Sequence, residues 1–268
     1  MIAALLSVLL LFGGTPPPLD EQLTFQSARP ELRDRAIWVP ASKLLGKQGQ
    51  LRPDLLDERG SSLLSRIVYS RETKTQAALL RNGPCPGGYV DIGSDRLNPR
   101  PNDSLRDLAA NALAIYRGRV ERVIPGFFYG EPGSLLEVKV EHTIKDSQLY
   151  RPRPYLYVYY PFLYASVGDR VLCRASRQFP LRPASGDEVL VFAYDPPHDV
   201  AGTVLAPTES EIFIQPQGEP LKVPHGVRRD PSLTALSSLT ELQAAVASEL
   251  RDSDQPHNPR MEPRYEKE

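Results

Sequence analysis

Cysteine is almost missing from this chain. Cys85 in "GPCPGG" and Cys173 in "RVLCRAS" are the only two, and no histidine stands at ligand spacing from either. That excludes a cysteine-based structural zinc site. Histidine is scarce too, at four residues, and no Gly-x-Ser-x-Gly elbow is present, so no nucleophile system of the hydrolase kind is written in the sequence. No glycine-rich loop follows a strand and opens a helix, which leaves nucleotide binding without support. Net charge is −1 with no basic face, against a dedicated nucleic-acid binder. Long apolar runs are missing as well: Met1 to Phe12 is the longest, well short of the roughly 20 residues that span a bilayer.

Proline is abundant instead, at 27 residues, about twice the usual share. The expected organisation is one folded core with proline-rich surroundings. Residues 1–15 read as a signal peptide, with an uncleaved, weakly anchored N-terminus or a start placed too late as alternatives. Residues 16–101 read as an irregular N-terminal extension, 102–215 as the folded core, 216–251 as linker and C-terminal helix, and 252–268 as a charged, disordered tail. In an exported chain an even cysteine pair suggests a Cys85–Cys173 disulfide, worth roughly 4–5 kcal/mol in the chain-entropy picture. Two unrelated buried thiols are the alternative.

Within the extension, "SSLLSRIVY" (Ser61 to Tyr69) suits a strand or a short helix, and Glu72 to Leu80 is weakly helical. Asn102, Asp103 or Ser104 can cap a helix carrying Leu105, Leu108 and Ala112 on one side. Two alternating runs follow. Ala114, Tyr116, Gly118, Val120 and Ile124 share one parity of the first; Leu136, Val138, Val140, His142 and Ile144 share one parity of the second. Gly118 on the apolar side predicts a bend or a close backbone approach. Tyr155 to Tyr160 is dense in β-formers, and the echo Gly168-Asp169 and Gly186-Asp187 marks two turns that feed strands. Leu190 to Tyr194 is apolar on both parities, as in a central strand. Thr203 to Ala206 and Glu211 to Ile214 suggest a closing hairpin. Ser238-x-x-Glu241 is a capping box ahead of a stripe of Leu239, Leu242, Val246 and Leu250. The predicted fold is mainly β: a small antiparallel OB-like barrel with flanking short helices, its core including Tyr116, Val120, Val138, Val140, Leu190 and Phe192.

The helix entering "AIYRGRV", the charged strand ending "TIKDS" and the later "GDEVLVFAY" together resemble the secreted OB-like barrels of the tissue-inhibitor-of-metalloproteinase and netrin-module type, over about Leu105 to Ile214. The resemblance implies a secreted barrel. The inhibitory members chelate zinc through an N-terminal cysteine; here the first cysteine is Cys85, so inhibition of metalloproteinases is not implied.

The candidate binding residues are aromatic. Phe127, Phe128 and Tyr129 lie in "PGFFYGEPG", where Pro125-Gly126 and Pro132-Gly133 read as turn pairs; Tyr155, Tyr157 and Tyr159 alternate on one strand face. Each set suits either core packing or a binding face. His142 could serve as a base but reads as a core or rim histidine, and Asp195, His198 and Asp199 of "YDPPHD" could serve a metal but read as a rigid proline turn. No metal or cofactor is implied. The functional expectation is a non-catalytic exported binding or interaction module, extracellular or periplasmic, with a protein or carbohydrate partner, no nucleic acid and no stable membrane span. A hydrolase-type enzyme with a dispersed site, or a structural envelope protein, are the alternatives.

Overall fold

The computed structural model describes residues 20–21, 38–46, 50–70, 85, 104–148, 155–175, 181–194, 198–200, 203–206, 211–223, 233 and 235–253. The signal-peptide region, the weak helix at 72–80, Asp195 and all but the first two residues of the tail lie outside them. Among the described residues no helix is long and apolar enough to cross a membrane.

The centre of the fold is one long hairpin, β3 (Ala114–Phe128) with β4 (Glu131–Lys145). Its tip is the pair Tyr129-Gly130, both at positive φ (49° and 77°), as a tight two-residue hairpin turn requires. The sequence points to the Pro-Gly pairs as turns. The structure corrects this: all four residues lie inside the ladder, where Gly126 stands opposite Gly133, Pro125 opposite Ser134 and Pro132 opposite Phe127. The hairpin grows on both sides. β8 (Glu188–Ala193) pairs with β3, and β11 (Glu211–Gln215) pairs with β8. On the other flank, β5 (Tyr155–Tyr160) pairs with β4, followed by β10 (Thr203–Ala206) and β9 (His198–Val200). β1 (Trp38–Pro40) adds to the tip end of β3.

The architecture is mainly β and chiefly antiparallel, but its hydrogen-bonded ladder does not close into a barrel, and β5 and β10 run parallel. The predicted closing hairpin is corrected too: β10 and β11 lie towards opposite ends of the strand order. Only residues 207–210 join them, a covalent reach of roughly 18 Å. The sheet must therefore roll until its flanks come near one another.

Three register shifts punctuate the hairpin. They leave Glu121 as the extra residue on β3, and Glu141 and Ile144 as extra residues on β4. Each extra residue exchanges the faces beyond it. Before Glu121, Tyr116 and Val120 point to the inner face and Ile115 to the outer; after it, Val123 is inner and Ile124 outer. Simple parity misplaces Ile124 for this reason. Beyond Glu141 the same effect leaves His142 exposed and sends Ile144 to the outer face. Gly118 does allow a close approach: a Cβ there would collide with the Lys139 carbonyl oxygen.

The inner face packs against a second sheet, β2 (Val68–Ser70), β7 (Arg170–Arg174) and β6 (Leu163–Val167), in the order β2-β7-β6. Val120, Val138, Leu156, Val158 and Val191 meet Val171 and Cys173 there. The Cys85–Cys173 disulfide sits in this core, with Cα atoms 5.6 Å apart. Towards the hairpin tip the inner face is covered by α1 (Ala41–Leu44) and α2 (Glu58–Arg66), around Phe127, Leu44 and Leu64. The region read from sequence as an irregular extension thus contributes the regular elements β1, α1, α2 and β2. Their order comes from burial against distant strands, which local periodicity does not report.

The outer face is covered at one end by α3 (Leu105–Asn111) and α4 (Leu239–Ser253), over Ile115, Leu190, Phe192 and Phe213. The Ser104 hydroxyl caps α3, and the Lys145 ammonium donates to the carbonyls of Ala109 and Ala110 at its other end. Ser238 accepts from Glu241 N–H to begin α4, and the Glu241 carboxylate returns to the Ser237 N–H. Leu190 and Phe192 therefore serve the outer core, and Val140 is only partly buried; the other predicted core residues lie inside.

Candidate site on the outer face of the sheet

Tyr155, Tyr157 and Tyr159 stand on the outer face, as alternation requires. Leu156 and Val158 fill the inner core, so both faces of β5 are buried along most of its length. Phe127 is buried under α1 and α2; Phe128 packs on Tyr129 and Tyr159, with ring centroids 4.7 and 5.5 Å away. The predicted aromatics thus divide. Phe127, Phe128, Tyr157 and Tyr159 are structural, whereas Tyr129 and Tyr155 keep part of their rings accessible. The two glycines of the loop seat rings: a Cβ on Gly126 would lie 2.5 Å from the Trp38 indole, and one on Gly133 2.5 Å from the Tyr159 ring.

Below these rings is a buried polar group that parity assigns to solvent. Glu137 is 6% exposed. Its carboxylate accepts from Arg122 at 2.7 and 3.2 Å and from the Tyr157 hydroxyl at 2.9 Å. Every member is satisfied, so the burial is tolerable. Burial first, and the neighbouring carboxylate second, push the Tyr157 phenol well above its ordinary range. Tyr159 is raised by burial, its hydroxyl donating to the Pro132 carbonyl at 3.0 Å. No sequence signal separates Glu137 from Lys139; the bulge at Glu121, which sets Arg122 opposite Glu137, makes the difference.

Between the two apolar covers of this face runs an open strip. Across it, in register, stand Glu188, Arg119, Lys139 and Tyr155 on four neighbouring strands. Arg119 lies 3.7 Å from Glu141 and 3.9 Å from Glu188, while Glu188 is held at 2.7 Å by Arg117, which also donates to Gln243 of α4. Lys139 is exposed, and none of the described residues forms an ion pair with it. His142 is exposed on β4 opposite Arg117, and His198 begins β9 opposite Leu205. Among the described residues no group of three or more His, Cys, Asp or Glu could hold a metal ion. No family model, curated protein or solved structure matches this chain.

Proposed function

We propose that this chain is a non-catalytic, exported binding module whose binding surface is the open strip of Arg119, Lys139 and Tyr155. The observation that carries the reading is the contrast along one sheet face: two apolar areas are sealed, and the polar stretch between them is left bare with a partly buried tyrosine at its edge. Aromatic rings beside charged groups are favoured in recognition because they offer large, rigid, amphipathic area. The disulfide is compatible with export, since such bonds persist in oxidising compartments. We also read the core as a distant OB-like fold. Supporting this, the meander β3-β4-β5 is flanked by antiparallel β8 and parallel β10, an order suited to a partly open five-stranded Greek-key barrel.

The test is to tag the full-length chain in its natural source and locate it. It should appear in the exported fraction with Cys85 and Cys173 bonded. It should also retain a component that a folded Lys139→Glu, Tyr155→Ala variant does not. Retention of every component by that variant defeats the assignment of the strip.

A further inference from the structure

We infer that the open strip takes an acidic saccharide, a uronate unit, with Lys139 binding its carboxylate and Tyr155 stacking on its ring; this rests on the reading of the strip as the binding surface. The strip contains a defect that folding does not explain. Arg119 and Lys139 are direct cross-strand partners, and like charges in that position destabilise a sheet. Arg119 has Glu141 and Glu188 within 4 Å, but Lys139 has Arg119 on one side and Tyr155 on the other. An anionic group above Lys139 removes the repulsion and supplies its missing partner.

The spacing restricts what that anion belongs to. Lys139 and Tyr155 are on adjacent strands, about 4.8 Å apart along the hydrogen-bonding direction. The ligand must carry a carboxylate and an apolar face within one such step. A uronate ring does so in a single unit, its carboxylate being joined directly to the ring whose C–H face stacks on tyrosine. An acidic peptide places successive same-side carboxylates about two residues apart, nearer 7 Å, and brings no rigid face to the ring. Glu141 and Glu188 stand close enough to Arg119 to serve as acceptors for hydroxyls on a neighbouring sugar.

The experiment is titration of the full-length, disulfide-bonded protein with tetragalacturonate, followed by calorimetry and by amide chemical shifts. Maltotetraose and a glutamate octapeptide serve as comparison probes. Tetragalacturonate should bind and shift the amides of β3, β4 and β5 around Arg119, Lys139 and Tyr155. Lys139→Gln should weaken it about tenfold or more, the loss expected for one charge-assisted hydrogen bond. Tyr155→Ala should weaken it too, while Lys43→Gln, on α1, should leave it unchanged. Equal binding of maltotetraose overturns the role of the carboxylate. Binding of the octapeptide alone overturns the saccharide and leaves the strip as a binding surface. No binding of any probe, with the tagged chain still losing its component on Lys139→Glu, overturns the ligand class alone.

Discussion

The ring of Tyr159 lies over Gly133, in the space where any other residue would carry its side chain. The same holds for the Trp38 indole over Gly126, the residue opposite Gly133 on the partner strand. A pair of cross-strand glycines is ordinarily a weak point in a sheet; here two aromatic rings fill it. Gly133→Ala should therefore displace the Tyr159 ring and lower stability by about 1–3 kcal/mol. Urea unfolding of the variant checks this, and a change within a few tenths of the wild type would show that the ring moves aside freely.

Val138 and Lys139 are neighbours with opposite fates, one in the inner core and one in water. Val138→Ala should cost around 1–3 kcal/mol. Lys139→Ala should be neutral or slightly stabilising, since it relieves the repulsion with Arg119. Equal losses from the two would put the register of β4 in error.

Removing the Glu137 carboxylate strands two donors. Glu137→Ala leaves the buried Tyr157 hydroxyl and part of the Arg122 guanidinium unpaired, a loss of about 1–3 kcal/mol. Adding Tyr157→Phe to that variant should recover part of the loss, because the orphaned hydroxyl is gone. A double-mutant cycle that shows simple additivity would contradict the network.

Four of the buried tyrosines set an alkaline limit. Burial pushes the Tyr116 phenol up to about 12, with Asp146 adding to the effect, and raises Tyr157, Tyr159 and Tyr160 as well. A phenol whose proton is held more tightly in the fold than in the unfolded chain stabilises fully below the unfolded pKa, about 10, and loses that contribution as pH rises through the folded value. Phenolate absorbance should therefore rise in two stages, exposed tyrosines first and the buried set together with loss of near-ultraviolet circular dichroism. A single early rise with the fold intact would show the four to be accessible.

Cys85 and Cys173 should be recovered as one linked peptide pair from the non-reduced protein by mass spectrometry. Replacing both by alanine should destabilise by up to roughly 4 kcal/mol. Two free thiols would remove the bridge and with it the main support for export.

Local signals in the sequence carried much of this fold. Ser104 and Ser238 cap the helices they announce, Gly168 begins the β6–β7 turn, and the doubly apolar Leu190 to Phe192 stretch lies between two strands. What escaped was non-local. Gly126 and Gly133 carry the same local signal whether they turn the chain or admit a ring from elsewhere. The extra residues Glu121 and Glu141 exchange faces without any mark in composition, which hid Glu137 and exposed His142. β10 and β11 look like a hairpin because they are consecutive, yet Val204 pairs with Leu156 of β5, 48 residues earlier, and Glu211 with Phe192 of β8, 19 residues earlier. At the candidate site, alternation placed the three β5 tyrosines on one face. Only packing could show that Tyr157 and Tyr159 are sealed and that Tyr155 alone of them borders the open strip.

The most direct measurement on the strip is photo-crosslinking of the full-length chain in its natural source, with a photoreactive side chain at position 139 in one variant and at position 43 in another. Both positions are exposed lysines, so reactivity differs only if one faces a bound component. A discrete adduct is expected from position 139 and none from position 43. Adducts from both, or from position 43 alone, would contradict the assignment of the strip.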